Sequence, residues 1–152
     1  MTSRPPRRHM LTALAEAEAA GVRGEVPVGA VVVGAEGAVL GRAGNRTREL
    51  ADPTAHAEML AIRQACAAIG SERLEGADLY VTLEPCAMCA AAASFARIRR
   101  LYFGAADLKG GGVEHGARVF SQPTCHHAPE VYGGIEETRA AALLRAFFEN
   151  RR

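Results

Sequence analysis

Apolar residues recur at helical spacing near both ends of the chain. In residues 7–20, Met10 and Leu14 fall on one face of a helix, and Gly21 follows as a residue that readily ends one. Residues 136–148 carry a second apolar stripe at the same spacing. The pattern therefore predicts an amphipathic helix near each terminus.

Four shorter apolar segments have the composition of strands. They are residues 26–33, 38–44, 78–83 and 101–104. The first is largely β-branched and continuous, which indicates a buried strand. Gly34 and Gly37 separate it from the second segment and allow a turn, so these two segments are predicted to form a hairpin.

Two internal helices are predicted from their start signals. Asp52-Pro53 is typical of an N-cap followed by proline at the first helical position, and this helix is expected to run to residue 69. Glu84-Pro85 gives a similar start before the alanine-rich segment 86–96. Residues 121–134, with two prolines, are predicted to form a loop.

The predicted order α-β-β-α-β-α-β-α indicates a mixed sheet covered by helices, an α/β architecture. A length of 152 residues suits one domain spanning 1–152, and 49% hydrophobic with 23% charged residues is ordinary for a globular protein. No apolar run approaches the roughly 20 residues of a membrane helix. Acidic residues Glu16 and Glu18 argue against a targeting leader, so a cytoplasmic location is expected.

The charge balance gives no strong indication of a partner. The net charge is only +1, so no overall positive field calls for nucleic acid. Local basic clusters do occur at residues 97–100 and at Arg151-Arg152. They are interpreted either as solvated surface charge or as RNA contacts.

The four cysteines suggest metal or redox chemistry more than disulfides, because two of them stand in a CxxC spacing without a secretory signal. His56 with Cys86 and Cys89 supplies three ligands that suit zinc. Structural zinc sites usually have four protein ligands, so three ligands beside Glu58 predict a catalytic site with an open position.

This ligand set favours hydrolytic deamination. Both ligand segments are predicted at helix starts, where the positive helix end favours thiolate. Zinc lowers the pKa of a bound water from about 15.7 toward about 7, and Glu58 would pass its proton to a substrate nitrogen. A zinc-stabilised binding module without catalysis is the alternative, and it would not require Glu58.

The remaining cysteines carry weaker signals. Cys66 lies within a predicted helix and is interpreted as a small core residue. Cys125-His126-His127 lies in a predicted loop without a partner at a diagnostic spacing. A surface or packing role is expected for it, with metal binding as the alternative.

The motifs His56-Ala-Glu58 and Pro85-Cys-Ala-Met-Cys89 match the H-x-E…P-C-x-x-C signature of zinc-dependent deaminases. Flanking segments resemble the bacterial tRNA-specific adenosine deaminases, the TadA family. These segments are Glu-Val-Pro-Val-Gly-Ala from residue 25, Gly-Asn-Arg from 44, Asp-Pro-Thr-Ala from 52, Leu-Tyr-Val-Thr-Leu-Glu from 79 and Asp-Leu-Lys from 107.

This resemblance implies a cytidine-deaminase-like fold, a three-layer α-β-α sandwich with a mixed five-stranded sheet. It implies a cytoplasmic homodimer with one Zn²⁺ per subunit. The family acts on the anticodon stem-loop of tRNA and converts the wobble adenosine, position 34, to inosine, so the same substrate is expected here. The resemblance implies that zinc-bound hydroxide would attack C6, that Glu58 would move the proton, and that ammonia would leave.

The resemblance also implies roles for individual residues. His56, Cys86 and Cys89 hold the metal and Glu58 is catalytic. Residues expected to contact the base or the anticodon loop are Asn45, Pro27, Val28, Ala57, Asp107, Lys109 and Phe148. The chain departs from the family pattern in residues 110–116 and 122–134, where the substrate rim is expected. A deaminase of a free nucleobase or nucleoside is therefore the alternative function.

Overall fold

The structure, a computed structural model, describes residues 5–151, so Arg152 lies outside it. Four helices are present: α1 Pro5–Val22, α2 Ala57–Ile69, α3 Ala87–Phe95 and α4 Glu137–Glu149. Five strands are present: β1 Gly29–Val33, β2 Val39–Gly44, β3 Asp78–Leu83, β4 Arg100–Ala105 and β5 Glu130–Tyr132. A short 3-10 helix, Val119–Ser121, precedes β5. No helix in this range is long and apolar enough to cross a membrane.

The five strands form one mixed sheet in the order β2-β1-β3-β4-β5. Strand β1 is antiparallel to both β2 and β3, whereas β3, β4 and β5 are mutually parallel. The mixed five-stranded sheet is therefore confirmed, as is the predicted hairpin of the first two strands. The carboxyl ends of β3 and β4 meet at one edge of the sheet, where the chain turns toward the functional site.

Helices cover both faces of the sheet because side chains alternate along the strands. On β3, Leu79 and Val81 face a core that includes residues of α2 and α3. Tyr80 between them faces a second core, which includes Leu14 of α1 and Ala140 of α4. The predicted three-layer α-β-α sandwich is confirmed.

Two strand glycines allow the helices to lie close to the sheet. A Cβ on Gly41 of β2 would collide with the backbone of Ala61 in α2. On the opposite face, a Cβ on Gly29 would lie 2.6 Å from the backbone nitrogen of Ala17 in α1. This close packing holds α2, which carries part of the functional site, in a fixed position.

Two predicted starts are wrong. The first strand begins at Gly29 and not at residue 26, because the backbone N–H of Val28 donates to Val26 O and forms a turn there. Helix α2 begins at Ala57 and not after Asp52-Pro53. The Asp52 carboxylate instead accepts bonds from the backbone N–H and hydroxyl of Thr54, at 2.8 and 2.7 Å, and so stabilises a turn.

The prediction of a loop over residues 121–134 is wrong for Glu130–Tyr132, which forms β5. This strand pairs with β4, with Arg100 opposite Glu130 and Leu101 opposite Val131. Three residues are too few to show an alternating pattern, so only the tertiary pairing reveals the strand.

Candidate active site

The three predicted metal ligands meet at the N-termini of two helices. His56 is the N-cap of α2 and Cys86 is the N-cap of α3, while Cys89 lies in the first turn of α3. The Nδ1 atom of His56 is 3.7 Å from Sγ of Cys86 and 3.5 Å from Sγ of Cys89. Both helix ends therefore point toward one small volume.

These separations fit a zinc ion. Bonds of about 2.3 Å to sulfur and about 2.0–2.1 Å to nitrogen, at tetrahedral angles, place N and S about 3.6 Å apart. The donor atoms all lie within 4.8 Å of one another, and within residues 5–151 no other group of His, Cys, Asp or Glu side chains is arranged in this way. The residues that would hold zinc are His56, Cys86 and Cys89.

The electrostatics of the cluster also suit a metal. A hydrogen bond from the Cys89 thiol outweighs burial and lowers the pKa of Cys86 to about 3, with His56 contributing in the same direction. The backbone N–H of Cys89, in the first turn of α3, lowers the pKa of Cys86 further, whereas the Cys86 thiolate and burial raise the pKa of Cys89. Cys86 is therefore a thiolate at neutral pH, the form that binds metal.

Glu58 lies in the first turn of α2 and is only 4% exposed. Burial raises the pKa of its carboxyl group to about 7. A group with such a pKa exchanges protons readily in both directions near neutral pH, which is what an acid–base catalyst requires.

A cavity of about 320 Å³ opens beside this cluster. Its walls come from the segment before β1, the segment after β2, the two helix N-termini and the segments that follow β3 and β4. The lining residues are Val26, Val28, Asn45, Thr47, His56, Glu58, Leu83, Glu84, Cys86, Asp107 and Gly110. The volume is at the lower end of the range for small-ligand sites, and the mixture of apolar walls with a few polar groups is typical of such sites.

Asn45 is held in a defined orientation within this cavity. Its Oδ1 accepts a hydrogen bond of 2.7 Å from the backbone N–H of Ala57. The backbone N–H of Asn45 donates to the backbone oxygen of Val28 at 3.1 Å. With Oδ1 engaged, the group that Asn45 offers to a ligand is its amide N–H₂, a donor. The backbone N–H of Ala57 is engaged with Asn45.

Four of the predicted substrate residues do not line this cavity: Pro27, Ala57, Lys109 and Phe148. Ala57 is fully buried. Pro27 lines a separate groove between α1 and α4, together with Phe147 and Arg151. Lys109 is exposed, and Phe148 is 52% exposed near the end of α4. Any contact of these residues with a substrate would be outside the cavity.

Asp107 lies at the mouth of the cavity and organises the turn after β4. Its Oδ1 accepts hydrogen bonds from the backbone N–H groups of Lys109 and Gly110, at 3.2 and 2.9 Å. The position of Lys109 relative to the cavity is therefore set by the side chain of Asp107.

Glu84 is a cavity residue to which the sequence assigned no function. Its side chain is fully buried, and five hydrogen-bond contacts converge on the carboxylate from residues 107–115. Burial would raise the pKa of Glu84, yet the hydrogen bonds from Asp107, His115 and their neighbours lower it below its usual value. The available signal was a carboxylate directly between an apolar strand and a proline.

The two other cysteine positions have packing roles. Cys66 lies within α2, half-buried and packed against the core, as predicted. The Cys125 thiol donates to His127 O at 3.2 Å, and the imidazole of His127 lies 2.6 Å from Ile98 O. His126 is exposed. These contacts agree with the packing interpretation of Cys125-His126-His127.

The basic clusters differ in how far acidic side chains offset them. Arg99 pairs with Asp78 at 2.9 Å, and Arg100 pairs with Glu130 at 3.1 Å. The guanidinium of Arg151 instead lies 3.9 Å above the ring of Phe147. Arg152 lies outside the described residues. The positive charge of Arg151 therefore lies beside the groove that Pro27 lines.

Comparison with known proteins places this geometry in context. Residues 3–105 match the family described as the cytidine and deoxycytidylate deaminase zinc-binding region. A tRNA-specific adenosine deaminase of Agrobacterium fabrum is 65% identical over 147 residues, 96% of each chain. That match includes residues 110–116 and 122–134, where the sequence departs from the family pattern.

Two solved structures extend the comparison. One, from work on A-to-I editing by tRNA:A34 deaminases at the wobble position of transfer RNA, is 66% identical and has a TM-score of 0.88. It covers 90% of this chain and 99% of its own. The guanine deaminase of Nitrosomonas europaea, at 22% identity, has a TM-score of 0.82 and covers 97% of this chain and 86% of its own. The second similarity concerns the fold alone.

The family match covers the segment that supplies His56, Glu58, Cys86 and Cys89. The similarity to the Agrobacterium enzyme continues across both the sheet and the rim. This chain belongs to the cytidine and deoxycytidylate deaminases, and within them to the family of tRNA-specific adenosine deaminases.

Proposed function

We propose that this protein hydrolyses adenosine to inosine at the wobble position, position 34, of a tRNA anticodon. The observation that carries the proposal is the position of Glu58, buried in the same cavity as the three-ligand cluster. A site that only stabilises the fold would need no buried carboxylate there. In the reaction water adds to C6 of the purine, the C6–N bond breaks and ammonia is released.

Bound zinc supplies a Lewis acid that lowers the pKa of a water from about 15.7 toward about 7. With zinc held by His56, Cys86 and Cys89, Glu58 would accept a proton from the attacking water and deliver it to nitrogen on the substrate, so that the amino group can leave as ammonia. Because burial sets the pKa of Glu58 near 7, both transfers are accessible at neutral pH.

Asn45 and Val28 orient the base. The amide N–H₂ of Asn45 donates to an acceptor nitrogen of the purine ring, while Val28 supplies an apolar wall. Ala57 acts through Asn45, since its N–H fixes the direction of that amide. Because the Asn45 N–H₂ is a donor, it favours a base whose ring nitrogen carries a lone pair and can accept a hydrogen bond.

The anticodon loop contacts the surface around the cavity. A base in a loop is already partly unstacked, so its entry into the cavity costs less than extraction from a duplex. Asp107 lines the cavity and fixes the turn that carries Lys109. Pro27 and Arg151 line the separate groove between α1 and α4, where Phe148 packs against Phe147. These residues contact neighbouring nucleotides.

We also propose that residues 1–152 act as one deaminase domain in a cytoplasmic homodimer with one zinc per subunit. Phe95 of α3 is 74% exposed and borders an apolar groove of about 340 Å³, which supports a subunit contact there. Light scattering and metal analysis of the purified protein test these assignments.

The decisive experiment uses an anticodon stem-loop with adenosine at the wobble position. The zinc-loaded protein is incubated with this RNA, and the nucleosides are analysed after digestion. Inosine is expected at that position and not in a matched stem-loop whose adenosine lies in the stem. The Glu58→Ala variant is the control and is expected to be inactive.

Free adenine, guanine, cytosine and their nucleosides are assayed in parallel for ammonia release. Rapid release from a free base, with no inosine in the stem-loop, would contradict the proposal and identify a small-molecule deaminase.

A further inference from the structure

We propose that Glu84 is a positioning residue for the substrate rim, which we define as residues 107–115. Its buried carboxylate holds both ends of this segment at the mouth of the cavity. This inference rests on the proposed tRNA deamination, and it assigns to Glu84 the placement of the surface that receives the RNA.

The two carboxylate oxygens of Glu84 accept hydrogen bonds from different groups of the rim. Oε1 accepts the backbone N–H of Asp107 at 3.0 Å and lies 2.7 Å from Nδ1 of His115. Oε2 accepts the backbone N–H groups of Val113, Glu114 and His115, at 3.2, 2.8 and 3.1 Å. The first and last residues of the rim are therefore bound to one carboxylate. Such charge-assisted bonds are stronger than neutral ones.

Two glycines allow this close approach. A Cβ on Gly111 would lie 2.6 Å from Oε2 of Glu84, and a Cβ on Gly112 would lie 2.5 Å from the backbone nitrogen of Ala87. The backbone N–H of Gly112 also donates to Pro85 O at 2.8 Å. The rim thus packs directly on the Glu84–Ala87 segment that begins α3.

Glu84 connects the rim with the catalytic centre without belonging to the chemistry. It lies two residues before Cys86, and it lines the cavity together with Asp107 and Gly110. Asp107 in turn fixes the turn that presents Lys109. Loss of the Glu84 contacts is therefore expected to disturb RNA placement more than proton transfer.

The first measurement is hydrogen exchange of the zinc-loaded full-length protein. In Glu84→Gln one acceptor oxygen becomes an N–H₂ donor, so one end of the rim loses its acceptor whichever way the amide turns. Exchange of the amides in residues 107–115 is expected to accelerate about tenfold, while protection of β1 and β3 is retained. Glu114→Gln, the same chemical change on an exposed rim side chain, is the matched control.

The second measurement is kinetic. With the anticodon stem-loop, Glu84→Gln is expected to raise KM about tenfold while kcat stays within about threefold, and zinc content is unchanged. His115→Ala removes only the imidazole contact and is expected to raise KM about threefold. This milder variant decides the matter if Glu84→Gln does not fold.

Unchanged exchange of residues 107–115 in both variants would overturn the proposal. A fall in kcat as large as the rise in KM, or a loss of zinc, would overturn the proposal as well. Glu84 would then act on the metal-binding segment or on the fold. If the wild type makes no inosine, the proposed function fails, whereas the exchange experiment still tests the role of Glu84.

Discussion

Glu58 and Glu84 are two buried carboxylates in the walls of one cavity, and their environments set them apart. Glu58 lies beside the metal ligands, and burial raises the pKa of its carboxyl group to about 7. Around Glu84, hydrogen bonds from the rim overcome burial and lower its pKa. The first group is suited to move a proton, whereas the second stays an anion and holds a loop.

This contrast shows that burial alone does not define a catalytic acid. The number of N–H donors aimed at each carboxylate distinguishes the two. The metal side and the rim side of the cavity should therefore respond differently to substitution. The predictions that follow test this difference, from the largest expected effect to the smallest.

Replacement of a metal ligand should affect the whole site. Cys86→Ala leaves two protein ligands, so zinc content and inosine formation are expected to fall to background in metal analysis and in the stem-loop assay. Cys66→Ala is the matched control, because Cys66 packs beside the core and should leave zinc bound. Full zinc occupancy in Cys86→Ala would contradict the assigned ligand set.

Removal of the proton carrier should affect only the metal side. Glu58→Ala is expected to lower kcat by roughly 10²–10⁴-fold, the usual contribution of an acid–base group, with zinc retained. Single-turnover assays with metal analysis of the same sample measure both quantities. Undiminished turnover in the zinc-loaded variant would rule out this role for Glu58.

The orientation of Asn45 gives a narrower test. Asn45→Asp keeps an acceptor for the N–H of Ala57 but replaces the donor that faces the base, so kcat/KM is expected to fall about 10- to 100-fold. Asn45→Ala removes both contacts and provides the comparison. If Asn45→Asp were as active as the wild type, Asn45 would only support the start of α2.

The rim can be tested through stability. Gly111→Ala places a methyl group against the Glu84 carboxylate and is expected to lower the free energy of unfolding by about 1–3 kcal/mol. In Gly110→Ala the new atom meets only the side chain of Asp107, at 3.1 Å. This control should change stability by less than about 0.5 kcal/mol in denaturant titrations. Equal effects at the two positions would contradict the tight packing at Glu84.

The smallest effect is expected at the edge of the RNA surface. Arg151→Ala should weaken binding of the stem-loop and reduce the slope of log K against log salt by about 1. Arg100→Ala, whose guanidinium pairs with Glu130, is the control. An unchanged salt slope for Arg151→Ala would assign Arg151 to packing on Phe147.

The metal side could be predicted from the sequence because its residue types carry a recognisable pattern, although His56 lies 30 residues from Cys86 in the chain. Cys86 and Cys89 lie three residues apart, so the start of one helix brings both sulfurs together. The ligands at His56 and Cys86 were predicted at helix starts, and both are N-caps. Only the start of α2 was placed too early, because Asp52 forms a turn that resembles a helix cap.

The rim could not be predicted because its contacts are made mostly by backbone N–H groups, which leave no pattern of residue types in the sequence. Glu84 binds residues 23 to 31 positions away, and no spacing rule signals such a pairing. Strand β5 likewise depends on β4, since its three residues show no pattern of their own. Whether Pro27, Lys109 and Phe148 touch RNA stays a prediction, since they lie outside the cavity.

The anchoring of the rim has a consequence for how this sequence can diverge. Four of the five contacts on Glu84 come from backbone N–H groups, which any residue except proline provides. The exposed side chain at position 114 is therefore free to change, provided that Glu84, Gly111 and Gly112 are kept, whereas Val113 packs in the hydrophobic core. Different side chains could therefore be introduced at the exposed rim positions to change RNA recognition, while the metal ligands and Glu58 remain unaltered.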